Sequence, residues 1–135
     1  MKRIASAIVR PTGPNYTQSI ETGGFTLLSD EPQGVGGQNA GPAPYSLLLA
    51  SLGSCTAITL KMYADRKGWD IGRLKVSLTL SKDDEGGTFI DRTLDSDARL
   101  DGVQWLKLLE IASKTPVTKT LLAGVSITTR RAEVA

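Results

Sequence analysis

Residues 45–67 read YSLLLASLGSCTAITLKMYADRK, and this stretch decides the fold of the chain. It contains no proline and is dominated by leucine, alanine, isoleucine and methionine. At 3.6 residues per turn its apolar side chains cover almost the whole circumference, which is typical of a buried helix. Basic residues close its last turn, and Gly68 is placed to end the helix as the C′ glycine.

The most apolar part of this helix, 47–60, is interrupted by serines, a glycine and threonines. We expect it to be too short and too polar to cross a bilayer. No apolar run follows the basic N-terminus, and Pro11 and Pro14 interrupt the chain early, so no signal peptide is predicted. These features predict a cytoplasmic protein with no membrane partner.

Short strands are predicted on both sides of the helix. The predicted strands are 2–10, 16–22, 25–30, 74–81 and 88–94, with hairpins at Gly23-Gly24 and at 83–87. Asp101 and Gln104 form a capping box for a second helix that should end near Lys114, before Pro116. Val125 to Thr129 is predicted as a last strand. This order predicts one α+β domain over 1–135.

The composition excludes several kinds of chemistry. Among 135 residues there are 16 Lys+Arg, 14 Asp+Glu, one cysteine and no histidine. An intrachain disulfide, a catalytic imidazole and a Cys/His zinc site are therefore impossible, and we predict no metal and no cofactor. A net charge of +2 with 5% aromatic residues gives no basis for nucleic-acid binding.

Two segments before the helix were considered as sites. The glycine-rich loop 34–41 lacks the ending of a P-loop and is not a dinucleotide fingerprint, so we interpret it as a connector. Asp30 and Glu31 are adjacent on an extended chain and point to opposite faces, which favours solvation or capping over a catalytic pair.

Cys55 leaves two interpretations open. A cysteine inside an apolar helix is usually an inert core residue. If the helix instead breaks at Gly53, Ser54 becomes a natural N-cap, and Cys55 lies in a first turn whose amide dipoles stabilise a thiolate.

Several motifs carry a family resemblance. The segments 41–56 (GPAPYSLLLASLGSCT), 62–69 (MYADRKGW) and 109–121 (LEIASKTPVTKTL), with Asp30-Glu31-Pro32, resemble the OsmC/Ohr family of thiol-dependent peroxidases. The resemblance implies an α+β fold with antiparallel sheets, a long buried central helix and an intertwined homodimer with active sites at the interface. It also implies that Cys55 is the peroxidatic cysteine, whose thiolate attacks an organic hydroperoxide.

The sequence departs from the family pattern at the partners of that cysteine. Thr115 stands where the family has its resolving cysteine, and Thr118 and Phe25 stand where histidines are expected. Tyr45 and Ser46 occupy the region of the expected acidic residue. The resemblance therefore leaves Glu31 and Arg10 as candidates for activating Cys55.

Three functions are compatible with this pattern. The first is a one-cysteine hydroperoxide reductase acting in oxidative stress defence, recycled by an external thiol or dithiol. Its apolar pocket would include Leu48, Leu52, Ile58 and Met62. The second is a non-catalytic protein that binds a small apolar ligand at the dimer interface. In the third, Cys55 is structural and the redox role is lost.

The homodimer is a testable prediction with its own physical reason. A helix that is apolar on all sides needs cover on all sides, and one curved sheet covers one face, so a symmetric partner should cover the other. Size-exclusion chromatography with light scattering should give twice the 14.4 kDa mass of the chain. A monomer mass would contradict the prediction.

Overall fold

The computed structural model describes residues 1–133. The strands are β1 Ile8–Pro11, β2 Gln18–Thr22, β3 Phe25–Ser29, β4 Lys75–Lys82 and β5 Thr88–Asp95. The helices are a 3-10 turn Gln33–Val35, α1 Pro44–Lys67, α2 Gly102–Ala112 and α3 Pro116–Ala123. The α+β class is confirmed.

Two antiparallel sheets form, as predicted. One has the order β1-β2-β3, and the other is the β4-β5 hairpin. Thr22 pairs with Phe25 across Gly23 and Gly24, whose φ angles are 59° and 83°. Positive φ at both central residues is the requirement of a type I′ hairpin, which confirms the predicted turn. The first strand is shorter than predicted, because it begins at Ile8.

Contacts divide the chain into two compact units, Met1–Ala50 and a second that begins at Ser51. The boundary lies within α1. The single domain over 1–135 stays a prediction.

In the first unit, Asp30 organises the loop that precedes α1. Its side chain is only 2% exposed. Its Oδ2 accepts hydrogen bonds from Thr17 Oγ1 at 2.7 Å, from the Gln38 N–H at 3.2 Å and from the Ala40 N–H at 3.1 Å. Its Oδ1 accepts from the Glu31 N–H at 2.7 Å. Of the two expected roles, solvation or capping, Asp30 therefore has the second, because its carboxylate binds backbone N–H groups and anchors the loop.

The helix α1 runs without a break through Gly53, so the predicted N-cap at Ser54 is wrong. A Cβ on Gly53 would lie 2.8 Å from Leu78 Cδ1, which shows why glycine stands there: β4 approaches the helix closely. The helix ends as predicted at Gly68, with φ 70°. The Gly68 and Trp69 N–H groups donate back into the last turn in a Schellman motif.

Burial of α1 is confined to one stripe. Leu52, Thr56, Leu60 and Ala64 are buried at a spacing of four residues. Ile58 is 53% exposed in the single chain. The expectation of burial on all sides is therefore not met within one chain, and cover by a second copy stays a prediction.

The length and composition of α1 correct one expectation. The helix has 24 residues and, by length and composition, is long and apolar enough to cross a membrane. Core helices of soluble proteins meet the same criterion, so length and composition do not distinguish a core helix from a membrane-spanning helix. The absence of a membrane partner stays a prediction.

In the second unit, the core is built from α1, α2 and the loop between α1 and β4. Its buried apolar residues are Leu60, Ala64, Ile71, Leu108 and Ala112. The β4 strand alternates between half-buried and exposed side chains, as predicted. The capping box of Asp101 and Gln104 is confirmed, and α2 ends at Ala112, two residues before the predicted end.

The C-terminal region differs from the prediction. The sequence analysis did not foresee α3, which begins at Pro116 directly after its N-cap Thr115. The strand predicted at 125–129 is wrong, because residues 124–133 form no helix or strand. Val125 and Ile127 have the alternation of a strand but are exposed, and no neighbouring strand pairs with them in the described residues.

Asp30 gives a testable prediction. Burial acts to raise its pKa, but the hydrogen bonds from Thr17, Ala40, Glu31 and Gln38 outweigh it and lower the pKa below the ordinary value. The ionised carboxylate therefore stabilises the fold above the ordinary carboxyl pKa of about 3.9, and this stabilisation is lost as the pH falls through the lowered value.

Asp30→Asn should lower the melting temperature at pH 7, because an amide NH₂ would face N–H donors. The difference from wild type should shrink below about pH 3.9. The control is Asp84→Asn in the exposed β4-β5 turn. Equal melting temperatures of wild type and Asp30→Asn at pH 7 would refute the anchoring role.

Candidate active site

Cys55 lies in the middle of α1 and is half-buried. Its Sγ is 4.0 Å from Thr59 Oγ1, one turn further along the helix. Because α1 begins at Pro44, Cys55 is about three turns from the N-terminus. The helix dipole acts only within the first turn, so it does not stabilise a thiolate here.

An arginine that the sequence analysis did not single out approaches this cysteine. Arg92 lies on β5, opposite Leu78 of β4. Ile90, Arg92 and Leu94 are half-buried and alternate with exposed residues, so Arg92 occupies an inward position of the strand. The same hairpin contacts α1 at Gly53 through Leu78. This register brings the guanidinium to the helix turn that carries Cys55.

Three hydrogen bonds hold the guanidinium of Arg92. Its Nη1 donates to Thr56 Oγ1 and to Thr118 Oγ1, each at 2.9 Å. Its Nη2 donates to the Ala112 carbonyl oxygen, also at 2.9 Å. That carbonyl belongs to the last residue of α2, where helix carbonyls lack internal partners and attract a cation. Three helices therefore fix one side chain from β5.

Threonine hydroxyls make up the rest of this cluster, and they are buried. Thr115 Oγ1 lies 2.6 Å from Thr118 Oγ1, and Thr118 Oγ1 donates to the Ala112 carbonyl at 3.3 Å. Thr56 Oγ1 donates to the Leu52 carbonyl at 2.7 Å. Thr56 and Thr115 are 0% exposed. The positions of the absent resolving cysteine and of one absent histidine are thus part of the hydrogen-bonded surroundings of Arg92.

In the part of the chain that the structure describes, the charge of Arg92 has no carboxylate partner. None of the four ion pairs within residues 1–133 involves it. Burial lowers the pKa of Arg92, while the attraction of the Cys55 thiolate opposes that shift. An arginine stays protonated in a protein, so the site holds a permanent positive charge. A nearby cation favours the thiolate form of a cysteine.

The predicted pocket residues occupy different environments on α1. Ile58 and Met62 follow Cys55 by three and seven residues, so they share its helix face, and they are 53% and 56% exposed. Leu52 is buried at 5% exposure. Leu48 lies in the first unit and is half-buried. Their role in an apolar pocket stays a prediction.

The two predicted activating candidates lie in the first unit. Arg10 Nη1 pairs with Glu21 Oε1 at 3.1 Å, and both side chains are more than half exposed. The backbone of Glu31 is held in the loop by Asp30 and Asn39. Their activating role stays a prediction.

A signal for Arg92 exists in the sequence. In the segment Ile90-Asp91-Arg92-Thr93-Leu94, Arg92 lies on the same face of the strand as the apolar residues Ile90 and Leu94. A charge on that face needs a partner in the interior. The alternation predicts the strand, and the charged residue at an inward position is the signal for Arg92.

Comparison with known structures identifies the fold. A protein from Psychrobacter arcticus 273-4, described as an osmotic stress induced and detoxification response protein, superposes with a TM-score of 0.76 at 19% identity, covering 89% of this chain and 90% of that chain. The organic hydroperoxide resistance protein OsmC of Legionella pneumophila gives a TM-score of 0.63 at 17% identity, covering 88% and 89%.

The organic hydroperoxide resistance protein OhrB of Bacillus subtilis gives a TM-score of 0.59 at 22% identity, covering 87% of this chain and 89% of that chain. No curated protein sequence matches the chain. The model of the family described as OsmC-like protein matches residues 36–130, a range that contains Cys55, Arg92 and Thr118. The chain therefore belongs to the OsmC-like protein family.

Proposed function

We propose that this chain is a one-cysteine, thiol-dependent reductase of organic hydroperoxides that acts in oxidative stress defence. The observation that carries the proposal is the guanidinium of Arg92, hydrogen-bonded to the neighbour of Cys55 and free of any carboxylate partner in residues 1–133. Two related structures are named for organic hydroperoxide resistance, which supports the same chemistry.

The first step oxidises the cysteine. The Cys55 thiolate attacks the terminal oxygen of the hydroperoxide, an S–O bond forms and the O–O bond breaks. Sulfur gives up two electrons and becomes a sulfenic acid, and the departing alkoxide takes a proton from water to become an alcohol. Arg92 contributes by favouring the thiolate before the attack and by stabilising the negative charge that moves to the leaving oxygen.

The second half of the cycle requires thiols from outside the chain. Thr115 cannot form a disulfide, and the chain has one cysteine. An external thiol condenses with the sulfenic acid, releasing water and leaving a mixed disulfide. A second thiol, or the second group of a dithiol, then attacks that disulfide and restores Cys55. The net reaction turns one hydroperoxide and two thiols into an alcohol, a disulfide and water.

This cycle fits the predicted cytoplasmic location, because that compartment keeps small thiols and dithiols reduced. It also fits the predicted homodimer. Ile58 and Met62 beside Cys55 are exposed in the single chain. A second copy over this face would enclose them as an apolar wall, which would favour organic hydroperoxides over hydrogen peroxide.

The alternative of a non-catalytic protein that binds an apolar ligand is less well supported. A half-buried cation without a carboxylate partner gives an uncharged apolar ligand no favourable contact. The same cation stabilises a thiolate. The redox function requires a thiolate, whereas binding of an apolar ligand does not.

The test compares the wild type with Cys55→Ser in the consumption of an organic hydroperoxide, with a dithiol supplied in excess. Wild type should consume the peroxide, and Cys55→Ser should fall to the rate of the dithiol alone, because its hydroxyl is not oxidised. The control is Ser54→Ala, which alters the exposed neighbour and should keep the wild-type rate. Equal rates for wild type and Cys55→Ser would refute the proposal.

A further inference from the structure

The hydroxyls around Arg92 have only one arrangement of protons that satisfies every contact. Arg92 can only donate, so Thr118 Oγ1 must accept from it. A backbone carbonyl can only accept, so the single proton of Thr118 goes to the Ala112 oxygen. The short contact between the two threonine hydroxyls then requires Thr115 to donate to Thr118. Thr118 Oγ1 therefore accepts one hydrogen bond from Arg92 and one from Thr115.

The hydroxyl of Thr115 binds Thr118 instead of capping the helix α3. It is the N-cap residue of α3, where a threonine hydroxyl usually accepts a hydrogen bond from a backbone N–H of the first turn. Here its side chain makes no such bond, and its oxygen lies 2.6 Å from the hydroxyl of Thr118. The capping hydroxyl is thus directed to the partner of Arg92.

Every oxygen that holds Arg92 is uncharged. Threonine hydroxyls and a carbonyl fix the direction of the guanidinium without cancelling its charge, whereas a carboxylate would do both. An arginine has several rotatable bonds, so the distance from its charge to a particular atom is fixed only while hydrogen bonds hold the side chain. Thr56 and Thr118 both accept from Nη1, and the Ala112 carbonyl accepts from Nη2, so both terminal nitrogens of the guanidinium are held.

We propose that Thr118, backed by Thr115, is a positioning residue that holds the guanidinium of Arg92 toward Cys55. The hydroxyl pair does this in place of an acidic residue, so the charge of Arg92 is left to act on the sulfur. The inference deepens the proposed function, since it concerns the thiolate that the reductase requires.

The test follows alkylation of Cys55 by iodoacetamide as a function of pH, by intact mass, in the full-length protein. Thr118→Val removes the acceptor with little change of volume and should move the pH midpoint of alkylation upward, slowing the reaction at pH 7 about three- to tenfold. Thr118→Ser keeps the hydroxyl and should restore the wild-type profile. Thr120→Val, an exposed threonine of the same helix, is the control and should leave the profile unchanged.

Two outcomes overturn the inference: a Thr118→Val profile equal to that of wild type, or a Thr118→Ser profile as displaced as that of Thr118→Val. Circular dichroism checks that each variant folds. If Thr118→Val does not fold, Thr115→Val carries the same test, because it removes the donor that orders Thr118. The assay needs no peroxide, so a wild type that fails to reduce hydroperoxide refutes the proposed function and leaves this result standing.

Discussion

The site depends on one interaction, the half-buried guanidinium of Arg92 held by uncharged oxygens. Burying a charge without a counter-charge is costly, so the chain supplies hydrogen bonds from three helices to hold it. None of these bonds neutralises the charge. A Cys55 thiolate would attract this cation, and that attraction opposes the lowering of the Arg92 pKa by burial.

That interaction requires the rest of the second unit. Gly53 lets the β4-β5 hairpin approach α1 closely. This approach brings Arg92 of β5 within hydrogen-bond distance of Thr56 on α1. The end of α2 supplies the carbonyl oxygen of Ala112 to Arg92. The helix α3 begins a few residues later, at Pro116, and its first turn contains the buried Thr118. The threonines that stand in place of a resolving cysteine and a histidine thus have a structural role, because Thr118 binds Arg92 and Thr115 binds Thr118.

The sequence was sufficient for the features that have a local cause. Apolar content predicted α1, alternation predicted β4, and paired glycines predicted the β2-β3 turn. The errors share a different cause, because each needed knowledge of a neighbour in space. A break of the helix at Gly53 is one of the two interpretations that the sequence leaves open, and only the close approach of Leu78 shows why glycine stands there. Residues 125–129 have the pattern of a strand, but a strand forms only where another strand offers hydrogen bonds.

The same limit explains which residues of the site could be predicted from the sequence. Cys55 was found from its motif, and Thr115 from its place in the family pattern. The sequence suggested Arg10 as the arginine candidate, and the place of Arg92 in the site follows only from the packing of the inward face of β5 against the helices. The contact of Thr118 with Arg92 joins residues 26 positions apart in the sequence, so no local pattern reports it.

The central claim is that the charge of Arg92 stabilises the thiolate of Cys55. The most direct measurement is the pH midpoint of Cys55 alkylation in wild type, Arg92→Met and Arg10→Met. The account predicts a higher midpoint for Arg92→Met, because the cation is lost while the apolar stem is kept. It predicts an unchanged midpoint for Arg10→Met, whose exposed guanidinium pairs with Glu21. An Arg92→Met midpoint equal to that of wild type would contradict the account.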